Sequence, residues 1–119
     1  MDTRIKIVST AEAVAIAEKG ATIVSGYFDP LLASHAERLQ ALKQPAKPLL
    51  VLIATASNPI LPSRARAELV AALQCVDHVT EIGSVFPDGL APHTQLETED
   101  AARLEELIAH VATRQQAAR

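Results

Sequence analysis

The chain has 119 residues, 49% of them hydrophobic and 3% aromatic, with a formal net charge of −3. This length predicts a single domain over residues 1–119, and the composition favours helices packed on a compact sheet. Because acidic and basic residues are interspersed without a basic stripe, the sequence disfavours nucleic-acid binding.

No apolar segment approaches the roughly 18 residues that span a bilayer, and the N-terminus lacks the charged-then-apolar pattern of a signal peptide. We therefore expect a cytoplasmic protein that does not bind membranes. The single cysteine, Cys75, excludes an internal disulfide and fits a reducing compartment.

The N-terminal segment predicts a helix followed by a strand. The apolar patch at residues 5–8 is compatible with either an edge strand or the lead-in to a helix. Ser9 and Glu12 form a capping box, which predicts a helix of roughly ten residues. Gly20 suits the left-handed residue that ends a helix, and residues 21–24 have the pattern of a buried strand.

A turn follows this strand at Gly26. Asp29 and Pro30 have the pattern of an N-cap followed by a proline at the first helical position, which predicts a helix from about Pro30. Residues at spacings of three and four mark the face of this helix that packs on the sheet: Leu32, His35, Ala36, Leu39 and Leu42.

The remainder of the chain predicts two strands and two helices. The continuous apolar run at 49–54 is typical of a parallel strand covered on both faces. A helix is expected over 62–75, a strand over 76–82, a loop over 84–94, and a last helix from Thr98 to about 114. The third helix is expected to direct these side chains inward: Leu69, Val70 and Leu73.

Strands and helices alternate with short links, which predicts an α/β fold with right-handed crossovers. The expected architecture is a Rossmann-like three-layer sandwich, in which helices flank a small, mostly parallel sheet of at least three strands. Because ligands of such sheets bind beyond the carboxyl ends of the strands, the turn at 26–29 is the natural site.

Two segments carry family motifs. After the first strand, Gly26, Phe28, Asp29, Leu31, His35 and Leu39 match the pattern T-N-G-C-F-D-x-L-H-x-G-H-x-x-x-L, and the segment from Leu61 to Val79 matches an arginine-containing helix and its following strand. On these residues the chain resembles the cytidylyltransferase-like nucleotidyltransferase superfamily, most closely the small adenylyltransferase domains that activate heptose phosphates. The resemblance covers residues 5–82.

The resemblance implies attack of a substrate phosphate on the α-phosphate of ATP or CTP, with Mg²⁺ bridging the phosphates and pyrophosphate leaving. It implies His35 as a catalytic phosphate donor and assigns no metal ligand to the protein. The residues that it implies for nucleotide binding are Gly26, Tyr27, Phe28, Asp29, Ser34 and Arg66.

The chain departs from the family pattern at several positions. Leu32 replaces the first motif histidine, and Ser34 replaces the motif glycine. Loss of one preorganised donor typically costs on the order of 10²- to 10³-fold in rate. The lysine-bearing segment is shortened to 56–60, and the later family motifs have no counterpart in 84–119.

Each candidate residue also has a structural interpretation. His35 either donates to a phosphate or packs below the turn, and Arg66 either reaches a phosphate or lies on a solvated helix face. Lys43, like Lys47, either clamps a phosphate or complements the helix dipole. Asp29 is read mainly as an N-cap and Cys75 as a buried inert thiol. Zinc is not expected, since no metal-ligand spacing links Cys75 with His78, His93 and His110.

Two functions of different classes follow. The first is a degenerate relative whose transferase activity is weakened or lost, and which binds either a nucleotide or phosphorylated small molecule or a protein partner. The alternative is an active adenylyl- or cytidylyltransferase acting on a sugar or polyol phosphate. In the family, later strands flank the other side of the first strand, and this chain has no counterpart of them. We therefore also predict a homodimer that covers this open edge.

Overall fold

A four-stranded parallel sheet organises residues 2–97, the part of the chain described by this computed structural model. The strands are β1 (Thr22–Gly26), β2 (Leu49–Ile53), β3 (His78–Glu81) and β4 (Thr94–Gln95), and their order is β3-β2-β1-β4. The predicted α/β class and Rossmann-like sandwich are confirmed.

The helices cover both faces of the sheet. They are α1 (Thr10–Glu18), α2 (Ala33–Leu42) and α3 (Ser63–Ala71). On one face, α2 and α3 pack on alternate strand residues in a core that includes Val24, Leu39, Val51, Val70 and Val79. On the other face, α1 packs with the segment after β3 in a second core that includes Ala13, Ile23, Leu52, Ile82 and Leu90.

The N-terminal segment lies along the outer edge of β3. Thr3–Lys6 is a short 3-10 helix, Ile7 forms an isolated parallel bridge with Val79, and the Val8 amide donates to the Val79 carbonyl at 2.8 Å. Residues 5–8 thus lead into α1, as one interpretation has it, and also contact the edge of the sheet through Ile7 and Val8, as the other has it. Ser9 caps α1 as predicted, accepting from the Glu12 amide at 3.2 Å.

The predicted start of the second helix is wrong. Helix α2 begins at Ala33 with Leu32 as its N-cap, and Asp29 does not cap it. An aspartate before a proline predicts an N-cap, because such a carboxylate can accept amides of the helix that follows it. Here the Asp29 carboxylate instead accepts two amides about thirty residues further along the chain. Leu32 is 53% exposed and so does not belong to the packed face, on which His35 and Leu39 are buried.

The predicted loop at 84–94 ends in a strand. Thr94 and Gln95 pair with Val24 and Ser25, so β4 covers part of the edge of β1 that the sequence left open. The homodimer was predicted because this edge was expected to be open, and that expectation is wrong where β4 pairs with β1. The homodimer itself stays a prediction.

One further prediction is wrong, and another concerns residues outside the described part of the chain. Leu69, expected to point inward, is 44% exposed, while Val70 beside it is fully buried. The last predicted helix lies outside the described residues. None of the helices within residues 2–97 has the length and apolar character needed to cross a membrane.

Candidate functional site

The turn after β1 lies at the point where the strand order reverses. From β1 the chain builds the sheet outward through β2 and β3, and then returns to place β4 on the opposite side of β1. In open parallel sheets this reversal leaves a crevice at the carboxyl ends of the strands, where ligands usually bind. The sequence-predicted turn at 26–29 leaves β1 at this crevice.

Close packing of Gly26 on Phe28 shapes the turn. Phe28 has a positive φ of 49° and is fully buried, so its ring folds back beneath β1. A Cβ atom at position 26 would lie 2.7 Å from two atoms of this ring, a distance that real Cβ atoms do not tolerate. The glycine is therefore required by internal packing, independently of any ligand.

The Asp29 carboxylate joins the turn to the loop that precedes α3. One oxygen accepts from the Ile60 amide and the other from the Leu61 amide, each at 2.7 Å. Both carboxylate oxygens are thus committed to main-chain donors. This arrangement assigns Asp29 a positioning role between two loops at the carboxyl edge.

Arg66 is 2% exposed and points under the same turn. Its Nη1 atom donates to the carbonyls of Tyr27 and Ala54, each at 2.9 Å, and its Nε donates to the Leu61 carbonyl at 3.2 Å. The interpretation of Arg66 as part of a solvated helix face is therefore wrong, whereas Arg64 does form the exposed pair with Glu68. Within residues 2–97, the guanidinium has carbonyl partners and no carboxylate partner.

His35 lies in the first turn of α2 and is 5% exposed. Its Nδ1 accepts from the Leu32 amide at 2.9 Å, while its own amide donates to the Leu32 carbonyl at 3.0 Å. The ring also makes an edge-on contact with Phe28, with 5.3 Å between ring centroids. His35 thus closes the start of the helix, and Ser34 lies half-buried beside it.

The segment around β4 is attached to β1 through two side-chain contacts that the sequence did not reveal. The buried Ser25 hydroxyl donates to Glu97 at 2.9 Å. The Ile23 amide donates to His93 Nδ1 at 3.0 Å, and the His93 amide donates to the Ile23 carbonyl at 2.8 Å. A two-residue strand in a Pro- and Gly-rich stretch has no periodicity that would have predicted them.

Lys43 lies at the opposite end of the sheet from the turn. Its ammonium donates to Asp77 at 2.7 Å and to the Lys47 carbonyl at 2.8 Å, which contradicts its interpretation as a phosphate clamp at the turn. Burial raises the pKa of Asp77, but hydrogen bonds from Lys43 and the Leu49 amide, with the Lys43 charge, lower the pKa overall. Cys75, predicted to be buried, is half-buried after the end of α3, and burial raises the pKa of its thiol.

A concavity of about 540 Å³ lies at this amino end, between the first 3-10 helix, the end of α3 and the start of β3. It is lined by Ile5, Lys6, Val76, His78 and their neighbours, and contains none of the residues assigned to the turn. The turn, unlike this concavity, lies at the carboxyl end of the strands, where ligands of open parallel sheets usually bind.

No group of three or more His, Cys, Asp or Glu residues within 2–97 is arranged to hold a metal ion. Comparison of the chain with models of protein families gives no match. A search of curated proteins likewise finds no significantly similar sequence.

Proposed function

We propose that this protein binds a nucleotide or a phosphorylated small molecule at the turn after β1, with transferase activity weakened or lost. The observation that carries the proposal is the strand order β3-β2-β1-β4, since the turn leaves β1 where the order reverses, and ligands of open parallel sheets usually bind at such a point. The first turn of α2 follows, and the amides of such a turn favour anions.

The contacts of the family-matched residues argue against catalysis. Main-chain groups of the protein itself form hydrogen bonds with the side chains of Asp29, Arg66 and His35. Leu32, which stands in place of the first motif histidine, presents an exposed apolar side chain at the start of α2. A transition state that builds charge on phosphoryl oxygens needs donors at this place, and leucine has none.

The described residues also fit poorly to a Mg²⁺-nucleotide. Both oxygens of Asp29 already accept main-chain amides, and Glu97 accepts from the Ser25 hydroxyl. Hard cations prefer carboxylate and carbonyl oxygens. Since no group of three or more His, Cys, Asp or Glu residues within 2–97 is arranged to hold a metal ion, any magnesium would be held mainly by the phosphates of the nucleotide, and we assign no step to it.

The test is calorimetric titration with ATP and with CTP, each with and without Mg²⁺, followed by a pyrophosphate-release assay with sugar and polyol phosphates. We expect binding of at least one nucleotide or sugar phosphate and no turnover. Pyrophosphate release by the unmodified protein would establish the alternative, an active adenylyl- or cytidylyltransferase. Absence of binding by every nucleotide and sugar phosphate would refute the proposal.

A double variant tests whether the protein descends from an active transferase. Leu32→His with Ser34→Gly restores the motif, and slow pyrophosphate release by this variant would support descent from an active enzyme. The matched control is Leu69→His with Ala72→Gly, which makes the same kinds of change on exposed positions at the end of α3. Release by the control as well would show that the signal does not come from the turn.

A further inference from the structure

Three large apolar side chains are exposed in the loops that follow β1, β2 and β3. Leu32 follows β1 and is 53% exposed, Ile60 follows β2 and is 74% exposed, and Val85 follows β3 and is 78% exposed. Because these strands are parallel, the three loops leave the sheet at the same edge, the carboxyl edge. We call these three residues the carboxyl-edge patch.

Hydrogen bonds join the loops that carry the patch. Asp29, in the turn after β1, accepts from the Ile60 amide at 2.7 Å. The Ile82 amide donates to the Ile53 carbonyl at 3.0 Å, and the Thr55 hydroxyl donates to the Ile82 carbonyl at 3.2 Å. Single exposed apolar residues are ordinary on a protein surface, whereas a group of them on adjoining loops is typical of a surface that another segment covers.

The chain leaves its described part at this same edge. Glu97, the last described residue, accepts from the hydroxyl of Ser25, near the carboxyl end of β1, at 2.9 Å. The residues that follow, 98–119, form the C-terminal segment. Four apolar residues recur in it at helical spacing, and we call them the C-terminal stripe: Leu104, Leu107, Ile108 and Val111.

The dimensions of a helix match those of the carboxyl edge. Counted from Thr98, a helix that rises about 1.5 Å per residue reaches Leu104 after about 9 Å and Ile108 after about 15 Å. From β4, the loops after β1, β2 and β3 lie at one, two and three strand spacings, which is about 5, 10 and 14 Å. A helix that runs back across the edge therefore carries the stripe over the loops after β2 and β3, and its first turn passes Leu32.

We propose that the C-terminal segment docks as a helix on the carboxyl-edge patch of its own chain, with the C-terminal stripe facing the patch. Because the segment is attached at Glu97, the contact is intramolecular, and a small apolar surface suffices to hold it. The docked segment covers the turn after β1. The docking does not depend on the function proposed for that turn, since it needs no ligand.

The test is paramagnetic broadening in NMR spectra of the full chain. A nitroxide is attached at Glu106→Cys in a Cys75→Ser background, because position 106 lies opposite the stripe on a helix. The amide signals of the carboxyl-edge patch should lose most of their intensity. Amides at the amino ends of β1 and β2 should lose much less, since they lie one strand length, roughly 17 Å, further away.

Substitutions in the stripe should abolish this loss. Leu104→Ser with Ile108→Ser removes half of the stripe, and the patch signals should then regain their intensity. The matched control is Ala102→Ser with Ala109→Ser, which places the same residue on the opposite side of the helix and should leave the loss unchanged.

The patch offers a reciprocal variant within the described residues. Leu32→Ser with Ile60→Ser changes two exposed side chains, so the core stays intact, and the Val85 amide should regain intensity. Leu69→Ser is the control, because Leu69 is also exposed but lies on α3 outside the patch.

Three outcomes would overturn the proposal. They are undiminished patch signals, equal losses at both ends of the strands, and losses that persist in the stripe variant. A mixture of isotope-labelled chain without nitroxide and unlabelled chain with nitroxide tests the remaining occupant. Loss of the patch signals in this mixture would show that a second copy of the chain covers the patch, against docking within one chain.

Discussion

Arg66 donates from Nη1 to the main-chain carbonyl of Tyr27 at 2.9 Å, across 39 residues of sequence. The turn after the first strand is thus held from below by the helix that follows the second strand. Since the same atom also reaches the Ala54 carbonyl, one guanidinium joins the carboxyl ends of β1 and β2. The geometry of the turn therefore depends on a side chain from a helix that follows the second strand.

Replacing Arg66 by lysine should destabilise the protein by about 2 kcal/mol, because lysine keeps the charge but cannot reproduce the directed N–H fork in a buried position. Urea denaturation measures the free energy of unfolding. Arg64→Lys is the matched control, since Arg64 is exposed and its pair with Glu68 spans 3.4 Å, and it should change stability by less than about 0.5 kcal/mol. Equal effects of the two variants would contradict the role of Arg66.

Gly26→Ala should cost about 1–3 kcal/mol, because the added methyl group meets the Phe28 ring at 2.7 Å. Gly83→Ala provides the control, as a Cβ atom there has no neighbour within 4 Å. Thermal or urea unfolding of the two variants measures the difference. In the Gly26→Ala background, Phe28→Leu should cost less than it does alone, since the two sites are in contact. Additive costs would speak against the clash.

His35→Ala should destabilise the protein by about 1–3 kcal/mol through loss of the bond from the Leu32 amide and of packing on Phe28. His35→Asn should recover part of this, because its Oδ1 can accept the same amide. The midpoints of urea unfolding compare the variants. If asparagine is as harmful as alanine, the capping bond contributes little and the aromatic contact dominates.

Stability should depend on Asp77 in acid. Its pKa is lowered in the folded protein, so its contribution is present above the unfolded value of about 3.9 and is lost as the pH falls through the folded pKa. Lys43→Met should therefore reduce stability at about pH 6 by about 0.5–1 kcal/mol, a modest effect because the Asp77 side chain is 38% exposed. At about pH 2.5 the difference from the unmodified protein should shrink. A difference that stays constant with pH would indicate lost packing of Lys43 and not lost charge.

The elements with a strong local pattern were predictable from the sequence. The run at 49–53 is buried at every position, as a parallel strand between two helical layers requires, and the Ser9 cap forms as expected. Gly20, expected to end the first helix, has a φ of 101°. In each case the residues that determine the structure are neighbours in sequence.

The parts of the site that depend on distant partners were not predictable. Asp29 before a proline has the pattern of an N-cap, but its carboxylate binds the loop before α3. Arg66 has the position of a surface arginine in its helix, yet it is buried by contacts with two other segments. His93 lies in a stretch without periodicity, and only the return of the chain to β1 gives it a partner.

The route of the chain to β4 determines an order of folding. Strand β3 lies at one edge of the sheet and β4 at the other, so residues 82–93 must cross the full width of the sheet, roughly 14 Å at the usual strand spacing. The Ile23–His93 pair closes a loop of 70 residues, whereas β1, β2 and β3 assemble from consecutive segments. Because loop closure is opposed by entropy until its contacts form, we expect β4 to join a three-stranded sheet that is already in place, when only residues 82–93 remain to be closed instead of 70 residues.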